Sequence, residues 1–520
     1  MRWLLALLLA LSASEPSKAA WMEASSDHFL IYANASEDWL RSFSDRLERF
    51  DGSLRAIRTL KSDPGLKSNR LTIFVVDSVD DVSRLCGRAR SCAQVAGFYV
   101  PRVGGSLAYT PRRSGFSSKW DLAAQTVLLH EYTHHFMFQH FAGAYPAWFA
   151  EGFAEFNGTA RFEKDGGVTF GAPPLYRAYG LLAQGNPMPA KRLLVPTQDR
   201  LNGLEVEAIY GRGWLLTHYL LTDSARTSQL DRYLRALSAG TAPLAAATTA
   251  FGDLDALDKT LDRYKMGKFA GWTIRASALK PGPIAIRSLS EGEAALMPVR
   301  MRSQRGVNEK SAETVVREAR RRAAPFPADA APQTALAEAE YDADQLDAAL
   351  AAAERAIAAS PTALRAHLYK GRVLVDRAAK LKTTDPAAWK EARSWYLKAN
   401  KIDPNNAEPL LLFYQSFAAA GQKPTVNAVR GLERAFTLSP EDRDLRWLVA
   451  RQFLVDARPD MARMALVPLA YDPHLSAESN PAAILVSKLA AGKTGPAALA
   501  ELDAAEQAEA AKKKAETPAE

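Results

Sequence analysis

Residues 127–138 read Val-Leu-Leu-His-Glu-Tyr-Thr-His-His-Phe-Met-Phe, and the histidines in this segment carry the first structural signal. His130 and His134 are four residues apart, so a helix directs both imidazoles to the same side, one turn from each other. The apolar flanks predict that this helix is buried. Glu131 lies about 100° further around the helix, next to the open position of a bound ion. Two histidines at this spacing beside a carboxylate predict a metal site that activates water.

A second predicted helix offers a third ligand. Residues 148–155 read Trp-Phe-Ala-Glu-Gly-Phe-Ala-Glu, which places Glu151 and Glu155 one turn apart on an otherwise aromatic helix. Burying carboxylates there is costly unless they have partners. We therefore predict one Zn²⁺ bound by His130, His134 and Glu151. Glu155 is expected to accept the other ring N–H of a metal-bound histidine.

These two segments together resemble the gluzincin zinc metallopeptidases, a peptidase MA-like group that includes aminopeptidase N relatives. The likeness rests on H-E-x-x-H followed by W-x-x-E-G-x-A and covers about residues 120–222. It implies a zincin-like α+β domain that hydrolyses peptide bonds, with Glu131 as the general base and His130, His134 and Glu151 as the zinc ligands. The chain has no segment like the G-A-M-E-N of those aminopeptidases, which holds the free amine of the substrate. Endopeptidase and exopeptidase action therefore both stay open.

A further likeness begins at Tyr210. Residues 210–216, Tyr-Gly-Arg-Gly-Trp-Leu-Leu, resemble the Y-x-K-G-x-x-L segment of aminopeptidase N relatives. The resemblance implies that the Tyr210 hydroxyl steadies the oxyanion of the tetrahedral intermediate, with Arg212 as a helper. The alternative is a core tyrosine that opens an amphipathic helix.

The surrounding sequence predicts an α+β region over residues 20–280. Four segments have the periodicity of strands or helices: 27–33, 71–76, 98–109 and 37–57. Ser117 or Ser118 is placed to cap the helix that carries the two histidines. By analogy, the predicted hairpin at 98–109 offers an edge strand that aligns an extended peptide.

A repeat follows this region. Three segments end in Pro361, Pro404 and Pro440, and each has an alanine five and twelve residues before its proline. The six alanines are Ala349, Ala356, Ala392, Ala399, Ala428 and Ala435. Small residues at fixed helix positions let two helices approach closely. The pattern resembles tetratricopeptide (TPR) repeats, which implies an all-α solenoid over 334–480 that contacts a protein partner. An irregular Ala-rich helical bundle is the alternative.

Two segments have weaker signals. Residues 281–333 combine two strand-like stretches, Ile284 to Arg287 and Met297 to Met301, with a basic helix, and we predict a connector there. Residues 481–520 are rich in Ala, Glu and Lys and predict a solvated tail. Pro361 and Pro404 are 43 residues apart, whereas Pro404 and Pro440 are 36 residues apart. The longer spacer favours an insertion near 380–385.

The first 19 residues predict a secretory signal peptide. A charge at Arg2 is followed by an apolar run and by small residues that permit cleavage after Ser14 or Ala19. Export puts Cys86 and Cys92 in an oxidising setting, and we favour a disulfide between them over two separate thiols. We expect an exported protein, periplasmic if bacterial and otherwise secreted, with no integral membrane span once mature.

Composition excludes several classes of protein. The chain has 520 residues, of which 48% are apolar and 24% charged, so it is too long for one ordinary domain and is not a disordered polyelectrolyte. Two cysteines exclude a disulfide scaffold and a Cys-based zinc module. The net charge of +8 is a weak bias over this length, and we expect no nucleic-acid partner.

Three functions compete on these observations. The first is an exported zinc-dependent peptidase with TPR-like repeats for protein contacts. The second is a catalytically silent, zinc-stabilised scaffold in which the repeats do the binding. The third is a zinc hydrolase that uses the same ligands on a non-peptide substrate.

Overall fold

The fold comes from a computed structural model of the chain. It describes residues 21–507 except 61–66, 88–91, 93–94, 114–117, 119–120, 183–187, 196–200, 472–479, 496 and 505–506. The predicted signal peptide, residues 1–19, and the predicted cap Ser117 lie outside the described residues.

The described strands form two sheets. Their bounds are Trp21–Ser25 (β1), Phe29–Asn34 (β2), Leu71–Val76 (β3), Phe98–Val100 (β4), Leu107–Pro111 (β5), Arg161–Phe162 (β6), Val168–Phe170 (β7), Trp272–Ile274 (β8) and Ala285–Ser288 (β9). The larger sheet has the order β4-β5-β3-β2-β1-β9, in which β2, β3 and β5 are parallel and the other pairs antiparallel. The smaller sheet, β6-β7-β8, is antiparallel.

The first ten described helices surround these sheets. They are Glu37–Arg58 (α1), Val79–Cys86 (α2), Ala124–His140 (α3), Ala147–Gly158 (α4), Ala178–Leu182 (α5), Ala190–Leu194 (α6), Gly203–Leu221 (α7), Ser224–Ser238 (α8), Pro243–Phe251 (α9) and Leu254–Tyr264 (α10).

The remaining described helices follow in succession. They are Glu291–Arg305 (α11), Glu309–Ala323 (α12), Ala330–Asp342 (α13), Leu346–Ala359 (α14), Leu364–Lys380 (α15), Pro386–Ile402 (α16), Ala407–Ala419 (α17), Val426–Leu438 (α18), Arg443–Val455 (α19), Pro459–Ala470 (α20) and Pro481–Ala490 (α21).

The larger sheet is covered on both faces. Because side chains alternate along a strand, Ile31 and Ile73 pack on the core that contains α1, α3, α4 and α7, while Tyr32 and Phe74 point to the opposite face. The strands β2, β3, β4 and β5 and the long helix α1 lie where the sequence predicts them. The predicted cap of α3 was wrong: α3 begins at Ala124, because Ser118 and Asp121 form a separate turn in which the Ser118 N–H donates to Asp121.

Residues 281–333 are folded parts of both regions. β9 pairs with β1 and extends the larger sheet beyond the predicted limit at residue 280. The strand predicted at 284–287 is therefore confirmed, but Met297 to Met301 is helical, so the strand-like interpretation of that second stretch was wrong. Its apolar alternation arises because α11 is buried on two sides: Met297 packs on the sheet, whereas Val299 packs on α12 and α13. The predicted connector is therefore the layer that joins the sheet to the helical repeat.

The helices from α13 to α20 form a TPR-like solenoid of antiparallel pairs. The pairs are α13 with α14, α15 with α16, α17 with α18 and α19 with α20, and each pair packs on the next. All six alanines of the sequence repeat are fully buried. A Cβ at Gly371 would lie 2.5 Å from the Tyr396 ring, which explains the small residue in α15. Close helix approach thus accounts for the repeat pattern.

The extra residues of the longer spacer lie mainly in the helices. α15 and α16 have 17 residues each, whereas α17 and α18 have 13 each. Each helix of that pair is therefore about one turn longer, and the loop at 381–385 does not hold the insertion.

The tail also differs from its prediction in part. α21 packs on α20, and Leu485 is almost fully buried. Ala498 and Leu502 are likewise fully buried, so the predicted solvated tail is part of the repeat core up to at least residue 502.

Candidate metal centre

The helix α3 carries the two histidines on a buried segment. His134 is 9% exposed, and its Nε2 lies 3.2 Å from Nε2 of His130. The two rings are nearly perpendicular, at 82°, so their Nε2 atoms converge without stacking. The four-residue spacing therefore produces the predicted convergence of two imidazoles.

The helix α4 brings Glu151 to the same point. Glu151 Oε2 lies 3.3 Å from His130 Nε2 and 3.6 Å from His134 Nε2. In a tetrahedral zinc site with ligand atoms about 2.0–2.2 Å from the ion, two ligand atoms lie about 3.3–3.6 Å apart. The three residues form a group that could hold a metal ion, named here the metal-binding group, and its ligand atoms have the separations of such a site.

The group also has the charge balance of a cation site. Burial alone would lower the pKa of His130, but hydrogen bonding to Glu151 and two further carboxylates outweigh it and raise this pKa to about 9. Burial alone would raise the pKa of Glu151, but the two imidazoles hold it well below its usual range. The site therefore favours a positive charge between the ligands, either a proton or a metal ion.

Glu155 lies behind His130, farther away than the predicted hydrogen bond requires. Its Oε1 is 3.7 Å from His130 Nδ1, and its side chain is 1% exposed. Two residues that the sequence prediction missed hold it: Arg177 Nε donates to Oε1 over 2.9 Å, and the Tyr176 hydroxyl donates to Oε2. A buried carboxylate beyond the ligand set requires a donor, and this requirement was the available signal for an arginine.

Close packing of α4 on α7 sets the position of Tyr210. A Cβ on Gly152 would lie 2.3 Å from the Gly213 carbonyl oxygen, and a Cβ on Gly213 would lie 2.5 Å from the Trp148 carbonyl oxygen. Both glycines belong to the motif segments quoted above. Only residues without a side chain permit this helix crossing, which explains the glycine of E-G-x-A and the second glycine of Y-G-R-G.

Tyr210 lies beside the metal-binding group. Its ring centroid is 6.2 Å from that of His130, and the Arg177 guanidinium lies 4.1 Å from the Tyr210 ring on a cation–π contact. Arg212 does not join it. Arg212 is buried and pairs with Asp258 at 2.5 Å and Asp262 at 3.3 Å, so the predicted helper role was wrong.

Glu131 is half-buried on α3, next to His130. Among the described residues it has no hydrogen bond or ion pair, but its charge acts on both His130 and Tyr210. A carboxylate in that position can accept a proton from a group bound between them.

A second histidine–carboxylate group lies on the other side of Tyr132. His28 Nδ1 is 2.8 Å from Glu48 Oε2 and 3.3 Å from Asp51 Oδ2. Asp51 also accepts from Arg55 Nε over 2.6 Å and from the Tyr132 hydroxyl over 2.6 Å. The sequence prediction did not identify this cluster.

Two further features lie away from the metal-binding group. A disulfide joins Cys86 to Cys92, the pairing that the sequence favoured. A cavity of about 940 Å³ lies where the repeat meets the sheet, lined by charged side chains such as Arg365, Arg372 and Glu408. None of the metal-binding residues lines this cavity.

In the part of the chain that the structure describes, no helix is long and apolar enough to cross a membrane. No protein-family profile matches the chain, and no curated protein matches it. Among solved structures, a thermophilic TPR protein from Thermus thermophilus aligns with 19% identity and a TM-score of 0.30, covering 35% of this chain and 93% of that one. A double mutant of MamA aligns with 18% identity and a TM-score of 0.26, covering 34% and 94%. Both TM-scores are below 0.5, and the TPR-like arrangement is seen in the contacts between the helices themselves.

Proposed function

We propose that this chain is an exported zinc-dependent peptidase whose TPR-like repeats make protein contacts. The observation that carries the proposal is the convergence of ligand atoms from His130, His134 and Glu151 at the separations of a tetrahedral zinc site. The disulfide between Cys86 and Cys92 supports export, because disulfides persist in oxidising compartments.

The residues around this site have complementary roles. When bound, zinc lowers the pKa of a coordinated water to about 7 and so supplies a nucleophile at neutral pH. Glu131 takes the proton of the attacking water and passes it to the leaving amine. Burial raises the pKa of Tyr210, so its hydroxyl keeps its proton and donates a hydrogen bond to the oxyanion. Glu155 orients His130 through its other ring nitrogen.

The substrate in this proposal is an extended peptide. β4 is the edge strand of the larger sheet and packs against α3. A peptide that pairs with this edge gains main-chain hydrogen bonds next to the metal-binding helix.

The test uses the full mature chain. We expect one zinc per chain and cleavage of a mixed peptide library, read by mass spectrometry. Glu131→Gln should retain zinc and lose cleavage by at least about 100-fold, and Tyr210→Phe should lose about 10- to 100-fold. Arg212→Lys serves as a control away from the site. Stoichiometric zinc with equal cleavage by Glu131→Gln would contradict the catalytic proposal.

The second candidate is a zinc-stabilised scaffold without catalysis. Large apolar side chains are exposed near the ends of the repeat helices: Leu381 is 78% exposed, Val426 68% and Val455 60%. Such residues favour a protein partner. If this candidate is correct, a pull-down is lost on deleting 334–480 but unchanged by His134→Ala.

A further inference from the structure

A chain of hydrogen bonds connects the repeat to the metal-binding helix. Glu441, in the turn between α18 and α19, accepts from Ser106 Oγ over 3.3 Å. The Tyr99 hydroxyl, on β4, lies 3.1 Å from Ser106 Oγ and 2.8 Å from His135 Nδ1. His135 follows His134 on α3. The chain therefore runs from a repeat carboxylate to the residue next to a predicted zinc ligand.

The groups in this chain are shielded from water. Ser106, His135 and Glu441 are all buried, so their polar atoms depend on one another for hydrogen bonds. An imidazole ring has two nitrogens, and which of them donates depends on the acceptor that it faces. Each hydroxyl also has a single proton to give.

These limits fix the direction of the chain. Burial raises the pKa of Glu441 to about 7, and above that pH its carboxylate only accepts. Ser106 then donates to Glu441, Tyr99 donates to Ser106, and His135 donates from Nδ1 to Tyr99. The acceptor at the repeat end thus makes Nδ1 of His135 a donor to the Tyr99 hydroxyl.

The repeat touches α3 at a second point. Arg446, on α19, is buried and donates to the Phe138 carbonyl oxygen over 3.4 Å and to the Ala465 carbonyl oxygen over 3.1 Å. Asp442 also accepts from the Val103 N–H over 3.1 Å, which ties the β4–β5 loop to the repeat. Contacts at His135 and Phe138, about one turn apart, restrain rotation of α3 about its axis.

We propose that Glu441 is a positioning residue, through which the repeat fixes the orientation of α3 and thus the direction of the His130 and His134 rings. The proposal rests on the proposed zinc site. It makes the solenoid part of the metal centre's support, in addition to any surface it offers to a partner.

The first test measures amide hydrogen exchange on the full chain at pH 8. In Glu441→Ala and in Tyr99→Phe, peptides from α3 should exchange about fivefold faster, the effect of losing one hydrogen bond. Tyr99→Phe removes only a hydroxyl and keeps the test valid if Glu441→Ala fails to fold. Glu441→Gln should restore part of the protection, because its amide oxygen accepts from Ser106.

The matched controls are a buried carboxylate and a buried tyrosine of the repeat that take no part in the chain of hydrogen bonds. Glu340 pairs with Arg320, and the Tyr414 hydroxyl donates to Gln452. Glu340→Ala and Tyr414→Phe should leave α3 exchange unchanged. Unchanged α3 exchange in Tyr99→Phe, or equal changes in the controls, would overturn the proposal.

The second test measures the zinc Kd by competition with a chromophoric chelator at pH 8. Tyr99→Phe should raise the Kd about tenfold, the lower range for groups that orient metal ligands. If the amide exchange of α3 changes but the zinc Kd does not, the contact only stabilises the packing of α3, and the positioning role is overturned. If the wild-type chain binds no zinc, the proposed function fails, while the exchange measurement still decides whether Glu441 restrains α3.

Discussion

Two histidine–carboxylate clusters flank the same helix, and they differ in what neutralises their carboxylates. In the first, His130 and His134 direct their Nε2 atoms at Glu151. In the second, His28 faces Glu48 and Asp51, and Arg55 lies 2.6 Å from Asp51. Both groups have ligand atoms close enough to hold a metal ion, so the charges around them are what distinguishes the two. A carboxylate that already has a guanidinium has little need of a metal ion.

The largest expected difference between the clusters is in metal binding. His134→Ala removes a ligand and should weaken zinc binding by more than about 100-fold, whereas His28→Ala should leave the stoichiometry at one. Metal analysis after dialysis, with chelator competition, measures both. Equal loss of zinc in the two variants would show that the clusters are not distinct.

Removing the guanidinium of the second cluster tests whether Arg55 takes the place of a metal ion there. Arg55→Met leaves Asp51 buried without its cation and should lower the free energy of unfolding by about 3 kcal/mol or more. Denaturant unfolding measures this loss. Arg226→Met, which breaks an exposed pair with Asp223, should cost less than about 1 kcal/mol. Unchanged stability with a second bound zinc would mean that Arg55 only occupies the place of an ion.

The first cluster depends on a close helix crossing that the second does not share. Gly152→Ala places a Cβ against the Gly213 carbonyl and should lower stability by about 1–3 kcal/mol while reducing zinc affinity. Gly431→Ala is the control, since the nearest atom to its Cβ is 3.8 Å away and an alanine there favours the helix. A Gly152→Ala variant as stable as the wild type would contradict the crossing.

The smallest effect is the pH dependence of the second cluster. Burial opposes protonation of His28, but Glu48 and Asp51 outweigh it and raise its pKa. The protonated ring therefore stabilises the fold fully below pH about 6.5, and this contribution is lost as pH rises through the folded-state pKa. His28→Gln should cost up to about 1 kcal/mol at pH 5.5 and less at pH 9, measured by denaturant unfolding. If His28→Gln lowered the stability more at pH 9 than at pH 5.5, the stabilising form of His28 would be the neutral ring and not the protonated one.

The first cluster was predictable because its residues lie on two adjacent helices with fixed spacings. His130 and His134 follow the helix period, and Glu151 lies on the next helix. Arg177 and Tyr176 were not predictable, because a turn outside the motif brings them to Glu155. The zinc and peptidase assignments stay predictions.

The second cluster was missed for a related reason. His28 precedes β2, Glu48 and Asp51 lie on α1, and only the fold of the sheet against α3 brings them to Tyr132. The repeat could be predicted from its alanines, since each is buried at a helix contact. The helix α11 could not be predicted, because it is buried on two sides and its apolar residues therefore do not follow the helical period.

The pairing of β1 with β9 has a consequence for how this chain reaches its native state. Arg287 on β9 pairs with Glu23 on β1, a separation of 264 residues. During synthesis, β1 therefore lacks its outer partner until residue 288 has emerged. Contacts between residues so far apart in the sequence slow folding. Until they form, the unpaired edge of β1 can pair with a strand of another chain. The sheet next to the metal-binding group is thus expected to complete its folding late, only after residues 21–288 have been synthesised.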